Sequence, residues 1–262
     1  MSVVVVIPFR HQAGIDRAGQ LAQVVSRLQT HPALRVIVVE QEPGGVFHRG
    51  ALLNVAFNAT RTTQGHVHNS RVAQWTDRFI CHDCDLVPDN VLLNLYAEST
   101  DPFICFAGTG TRYSSSPSFV GGVTGYSRAA FEQMNGYPVR YAHGWGGEDD
   151  AIRRRATSCG IQITRNTMGR VVDLEDMDLD TKLAWLRAHP GEKNMTKWEL
   201  RDMHAHTWQT NGLRGLPSRE QPFVLGRRVD DTGVTRLRVR VPGPLDPGAT
   251  SGPPPKLAVE GV

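Results

Sequence analysis

The sequence predicts an α/β fold, a sheet flanked by helices, and three observations predict it. Val3-Val4-Val5-Val6-Ile7 is a continuous β-branched run, the pattern of a strand buried on both faces. Such apolar runs alternate with segments whose apolar residues recur at helical spacing, in the order strand, helix, strand, helix, strand. The polar motifs Pro8-Phe9-Arg10 and Asp83-Cys84-Asp85 fall at the carboxyl ends of strands, where open α/β sheets bind their ligands.

Taken in order, Pro8 ends the first strand, and Leu21, Val24, Val25 and Leu28 mark one face of a helix. Val36 to Val39 reads as the second strand, followed by a Pro-Gly-Gly turn at 43–45. Leu53, Ala56, Phe57 and Thr60 trace another helix, and the polar stretch 64–76 reads as loop. Phe79-Ile80-Cys81 opens a third strand that leads into Asp83 and Asp85. After Pro88 a helix carries Val91, Leu92 and Leu95. Ser127 is placed to cap a short helix that stops at Gly136, and Glu148 to Ser158 is a second one, stopped by Gly160. Residues 180–208 read as helical and amphipathic, and two strands between 222 and 241 pair around Asp231-Thr232-Gly233.

The chain has 262 residues, 40% of them hydrophobic, enough for one sizeable core. One domain over 1–241 is expected, then a Pro/Gly-rich tail over 242–262 that composition marks as disordered. A net charge of +3 without dense Lys/Arg clusters argues against a nucleic-acid partner. The apolar start is too short to span a bilayer and lacks the basic region and cleavage site of a signal peptide, so a soluble, cytoplasmic protein with no membrane span is expected. Four scattered cysteines suit reduced thiols; Cys81 and Cys84 would point opposite ways on a strand, against a zinc site.

Two constellations carry chemistry. Residues 83 and 85 of a strand share one side, and two carboxylates there can hold a divalent cation and a sugar or ribose hydroxyl. Solvated loop aspartates would read the same way. Gly144-Trp145-Gly146-Gly147-Glu148-Asp149-Asp150 lets a backbone approach a ligand closely, offers a flat indole wall for a sugar ring, and opens a helix with three acids. Acids in a first turn also suit the helix dipole, but the dipole does not call for a tryptophan between glycines.

Gly144 to Asp150 resembles the signature of the β-1,4-galactosyltransferase family, Trp-Gly-Trp-Gly-Gly-Glu-Asp-Asp. Ile7-Pro8-Phe9-Arg10, Phe47-His48-Arg49-Gly50-Ala51-Leu52-Leu53-Asn54-Val55-Ala56-Phe57, Asp83-Cys84-Asp85-Leu86-Val87-Pro88, Val120-Gly121-Gly122-Val123, Asn135-Gly136-Tyr137-Pro138 and Asn211-Gly212-Leu213 resemble further family segments in the same order, so the likeness covers about residues 3 to 216. The resemblance implies a GT-A fold, a Rossmann-like nucleotide-sugar-binding mixed sheet flanked by helices. It also implies an inverting, divalent-metal-dependent transfer of a hexose, galactose or a related sugar, from a UDP-sugar to a carbohydrate or other hydroxyl acceptor. By position it places Pro8, Phe9, Arg10, Phe47 and Arg49 on the uridine and phosphate side, and Asp83 on the donor. Gly122, Trp145 and Glu148 would contact the sugars, Asp85 the metal, and Asp149 would be the base. Mn²⁺ is the implied ion.

The sequence departs from the family at several points. Where the family has Met and His, or His-x-His, this chain reads Asp173-Leu174-Glu175-Asp176. One alignment puts Asp173 and Asp176 at the metal, the other Asp173 and Glu175; either set is hard oxygen, which also admits Mg²⁺. Phe119 stands for a tyrosine beside the donor sugar, Gln12 for an arginine near the phosphates, and His143 for the first tryptophan. These changes leave open UDP-GalNAc, UDP-glucose or UDP-xylose on a small-molecule, peptide or glycan acceptor. A silent sugar-binding module is the non-enzymatic alternative.

Overall fold

A computed structural model of the chain describes residues 3–61, 78–107, 111, 116–140, 144, 146–175, 177–189, 202, 205–216 and 220–242. The run at Val3–Phe9 forms β1, the central strand of an eight-stranded mixed sheet. It pairs in parallel with β2 (Leu34–Gln41) on one side and β3 (Arg78–His82) on the other. Every residue of β1 is buried, because alternate side chains enter two different cores. Val3, Val5 and Ile7 pack with Leu21, Val24, Val25 and Leu28 of helix α1 (Arg17–Gln29). Val4 and Val6 pack with Leu52, Leu53, Val55, Ala56 and Phe57 of α2 (Arg49–Arg61). Two crossover helices on opposite faces thus explain why the strand shows no polar alternation.

Beyond β3 the next two pairings of the sheet are antiparallel and the outermost is parallel. Strand β4 (Leu86–Pro88) leaves it, and α3 (Asn90–Glu98), β5 (Phe103–Cys105) and β6 (Val123–Ser127) follow. Next come α4 (Arg128–Gln133), α5 (Glu148–Ser158), β7 (Ile163–Arg165), β8 (Val171–Asp173), α6 (Leu179–Ala188), β9 (Phe223–Val229) and β10 (Thr235–Arg240). The sheet order is β7-β5-β6-β3-β1-β2-β10-β9, and β4 pairs separately with β8. This mixed sheet flanked by helices is the GT-A architecture.

The local signals that set helix boundaries act as expected. Ser127 accepts a hydrogen bond from the Ala130 amide, and the chain leaves α4 through Asn135 and Gly136, both at positive φ. Gly160 at φ +68° follows α5. Three expectations need correction. Val91 is 47% exposed; α3 buries Leu92, Leu93 and Tyr96 instead, so its apolar stripe starts one residue later. The stretch 180–208 is not one unbroken helix: α6 ends at Ala188 and Trp208–Thr210 is a short 3₁₀ turn, while residues 190–201, 203 and 204 lie outside the described residues. Asp83 and Asp85 lie past the end of β3, in the turn before β4, so strand alternation is not what aims them. The mixed sheet and the hairpin between 222 and 241 are as expected, whereas β5, β6 and β7 are not marked as strands by the apolar pattern. The loop expected at 64–76 and the tail beyond Pro242 lie outside the described residues.

Candidate active site

The carboxyl ends of β1 and β3, the Gly-rich segment before α5, and the N-terminal residue of α2 surround one cleft. Its volume is about 430 Å³, within the roughly 300–1,000 Å³ usual for small-ligand sites.

Its floor is ionic. Arg49, the first residue of α2 and 9% exposed, donates from Nε to Asp83 Oδ1 at 2.7 Å and from Nη1 to Asp149 Oδ1 at 3.1 Å. The remaining nitrogen, Nη2, is buried with no acceptor among the described residues. Arg49 therefore joins the Asp-x-Asp turn to the first turn of α5, two segments 66 residues apart in the chain. The turn is fixed from behind. The Asp83 amide donates to Gly122 O at 2.9 Å. Buried His82 donates from Nδ1 to Asp83 O at 2.8 Å, and burial pushes its imidazole down to about 4, so it is neutral.

Glycines allow the opposite wall to come close. Gly144, Gly146 and Gly147 all have positive φ, between +83° and +101°, which an L side chain rarely adopts. Gly147 caps α5 with no side-chain hydrogen bond, leaving three acids in the first turn. Gly121 is needed for a different reason: a Cβ there would overlap Asp149 Oδ2 and come within 2.8 Å of the Phe119 ring. Glu148 is buried, and its Oε2 has no hydrogen-bond partner among the described residues. Loss of water, then the neighbouring Asp149, raise its carboxyl to about 7. A side chain that takes up a proton near neutrality and offers an unpaired oxygen in a cleft is equipped to bind a hydroxyl.

A second ionic group lies at the other end. Register pairs Leu86 with Asp173, and the Leu174 amide donates to Asp85 O at 2.8 Å, so the β4–β8 ladder brings Asp173 beside Asp85. Burial first, and Asp83 second, raise the Asp85 carboxyl to about 6. Arg17 donates from Nη1 to Asp85 Oδ2 at 2.9 Å and from Nη2 to Glu175 Oε1. Lys182 of α6 reaches the same Glu175 oxygen at 2.6 Å. Among the described residues, no three His, Cys, Asp or Glu side chains converge as a ready-made metal cage. Asp85 and Asp173 nevertheless fit a hard divalent ion, which commonly takes one or two carboxylates and completes its shell with water and substrate phosphates. The guanidinium already between Asp85 and Glu175 shows that this place accepts positive charge.

The expected site residues come together unevenly. Pro8, Arg10, Phe47, Arg49, Asp83, Asp85, Gly122, Glu148, Asp149, Asp173 and Glu175 all line the cleft. Arg10 lies over the Phe47 ring, 5.6 Å from its centroid, and donates to Gly45 O at 2.8 Å. Phe9 does not reach the cleft: it follows Ile7 into the α1-side core and is 3% exposed. Trp145 and Asp176 lie outside the described residues. The cysteines are free thiols, and burial pushes Cys81 and Cys84 up to about 12, which suits neither to a zinc thiolate site.

The sequence reading missed Arg17, Lys182 and Trp185, all in the cleft wall. On α6, Lys182 and Leu186 are the buried residues, and Trp185 lies between them in the i, i+3, i+4 pattern that faces a neighbour. A lysine within such a stripe was the available signal. Arg17 had none, since it opens α1 next to its cap residue Asp16 like many solvated arginines.

Residues 102–177 match a family described as the N-terminal domain of galactosyltransferase. Beta-1,4-galactosyltransferase 4 of Cricetulus griseus is 32% identical over 221 residues, 80% of this chain and 56% of that protein. Beta-1,4-galactosyltransferase 2 of Mus musculus is 37% identical over 175 residues, 63% of this chain and 42% of that protein. The chain thus spans about half the length of the curated relatives it matches. Among solved structures, the catalytic domain of Drosophila beta1,4galactosyltransferase 7 in complex with xylobiose superposes with a TM-score of 0.65 at 24% identity. That match covers 92% of this chain and 94% of that one. A mutant of the same Drosophila protein, in complex with manganese, UDP-Gal and xylobiose, gives 0.60 at 23%. With the fold, the ordered motifs and a relative 32% identical over four-fifths of this chain, the chain belongs to the β-1,4-galactosyltransferase family.

Proposed function

We propose that this protein transfers a hexose, galactose in the first instance, from a UDP-sugar to an acceptor hydroxyl, with inversion and with a divalent cation. The observation that carries the reading is the Arg49 bridge between Asp83 and Asp149, which sets a donor-side carboxylate and a helix-borne carboxylate across one cleft. The related Drosophila enzyme was crystallised with manganese, UDP-Gal and xylobiose, which supports the choice of donor, ion and a sugar acceptor.

In this reading Asp149 accepts the proton of the attacking hydroxyl, as a carboxylate within hydrogen-bond reach can. Glu148, with its unpaired oxygen, holds the sugar hydroxyls. Asp83 takes a donor hydroxyl, and the Arg10–Phe47 pair forms the wall on the nucleotide side. Asp85 and Asp173 would hold Mn²⁺, or Mg²⁺, which when bound stabilises charge developing on the departing UDP. Phe119, packed beside Gly121 and lacking a hydroxyl, is the residue most placed to alter the choice of donor sugar.

The test is release of UDP from a panel of UDP-galactose, UDP-GalNAc, UDP-glucose and UDP-xylose, with saccharide acceptors, in Mn²⁺ and in EDTA. Turnover with UDP-galactose that EDTA removes is the expected result. UDP binding that survives chelation unaltered would refute the metal assignment. Asp85→Ala should abolish metal-dependent UDP binding while leaving the melting temperature of the free protein little changed.

A further inference from the structure

We propose that Arg17 is an internal cation that competes with the metal for Asp85, so that the free protein binds metal weakly and gains affinity for it when a nucleotide diphosphate binds. The proposal rests on the reading of Asp85 as a metal ligand. It adds a residue that no part of that reading assigns.

The guanidinium is held from four sides. Nη1 donates to Asp85 Oδ2 at 2.9 Å and to Gln20 Oε1 at 2.9 Å, Nε donates to Gln12 Oε1 at 3.2 Å, and Nη2 pairs with Glu175. The three side chains of this ion-pair group are shielded, with 13% of Arg17, 16% of Asp85 and 3% of Glu175 exposed. Charge interactions at such a place are little screened by salt. Lys182, 8% exposed, holds Glu175 from the other side.

A divalent ion on either oxygen of Asp85 would stand within a few ångströms of the guanidinium. Like charges that close repel strongly in a shielded site. Either the metal binds weakly or Arg17 leaves Asp85. If it leaves, Gln12, Gln20 and Glu175 still tether it, and an anion in the cleft gives its freed Nη1 a new acceptor. The forked donors of arginine match phosphate oxygens well. Metal and diphosphate then assist each other, because each relieves a charge that the other leaves unmatched. Glu175 belongs, on this account, to Arg17 and Lys182 as their shared counter-ion.

The experiment measures Mn²⁺ binding by the loss of the free-ion EPR signal, for the full chain, with and without UDP. Arg17→Met removes the competitor, Arg17→Lys keeps a charge but loses the fork, and Lys182→Met removes an equal charge that does not touch Asp85. Without UDP, Arg17→Met should bind Mn²⁺ at least about tenfold more tightly than the wild type, and UDP should improve its affinity far less. Lys182→Met should change affinity by less than Arg17→Met, and Arg17→Lys should fall between Arg17→Met and the wild type. Equal tightening by Arg17→Met and Lys182→Met would overturn the proposal, since a diffuse charge effect would then suffice. Unchanged or weaker Mn²⁺ binding by both Arg17 variants would overturn it too. Wild-type protein with UDP reports on metal dependence itself, so failure there is distinguishable from failure of the competition.

Discussion

Asp149 and Glu148 are adjacent acids in one helical turn, about 100° apart around the axis, and their surroundings differ. Asp149 is tied to Arg49 at 3.1 Å, whereas Glu148 Oε2 meets no donor among the described residues. A fixed, ion-paired carboxylate suits a base that must stay aimed at one atom; a half-titrated one suits a group that both gives and accepts hydrogen bonds. Asp149→Asn keeps the shape and loses most of the basicity. It should lower kcat by roughly 100-fold or more, with metal-dependent UDP affinity within a few-fold, as turnover and calorimetry on the same preparation would show. Retained turnover would shift the role to Glu148. The raised carboxyl of Glu148 also makes a stability prediction. Its folded value of about 7 lies above the ordinary 4.5, so the folded state holds the proton more tightly. Its contribution is therefore present below pH 4.5 and is lost as pH rises through 7. In the metal-free protein, the difference in melting temperature between wild type and Glu148→Gln should move against the wild type from pH 5 to pH 8. A flat difference would show that Glu148 titrates normally.

At the scale of elements, what the sequence disclosed depends on length and on where a side chain's partners lie. Long elements with their own periodicity, such as β1, α1, α2 and α5, were legible. Strands β4, β5, β7 and β8 have three residues each, too few for any period to register, and only tertiary pairing makes them strands. The glycine segment before α5 was legible because positive φ selects glycine locally. The place of Arg17 between Asp85 and Glu175 was not, because those partners lie 68 and 158 residues away in the chain. The Phe9 side chain is absent from the cleft lining, and a motif match does not tell which of two alternating strand faces a side chain takes. Arg155 shows how such long-range links also hold the site's frame. It is 3% exposed and donates to Asn135 O at 3.2 Å, Gly136 O at 2.5 Å and Asn211 O at 2.6 Å. It thus pins the end of α4 and the Asn211-Gly212-Leu213 turn onto α5. Arg155→Met would take the guanidinium donor from the Gly136 and Asn211 carbonyls, at about 1–3 kcal/mol each when buried, while Asn135 O keeps the Leu213 amide at 3.0 Å. A urea midpoint lowered by the equivalent of roughly 3 kcal/mol or more is expected; a loss under about 1 kcal/mol would mean that water replaces the guanidinium.

The whole molecule closes on its last described segment. Strand β10 pairs in parallel with β2, which formed some 200 residues earlier, and β9 covers its outer edge. Leu237 and Val239, 2% and 0% exposed, complete the α2-side core with Ile37 and Val39. The Glu42 amide donates to Val239 O at 2.9 Å, and Arg240 pairs with the Glu42 carboxylate at 2.7 Å. Burying two such apolar side chains contributes about 1.5–3 kcal/mol each, a large part of the roughly 5–15 kcal/mol that separates folded from unfolded domains. Removing the hairpin would also bare β2, a long apolar strand, as a new sheet edge open to pairing with other chains. Two truncations separate this closure from the tail. A chain ending at Pro242 loses the Pro/Gly-rich residues 243–262, for which composition gives no reason to expect a packed core, and should melt and turn over like the full chain. A chain ending at Gln221 loses β9 and β10, and should unfold without a cooperative transition or aggregate on expression. Size-exclusion profiles and thermal melts of the two, side by side, decide the matter. If the chain ending at Pro242 also loses several degrees, the tail packs on the sheet; if the chain ending at Gln221 stays monomeric with a sharp melt, the hairpin is an appendage and the core closes at β2.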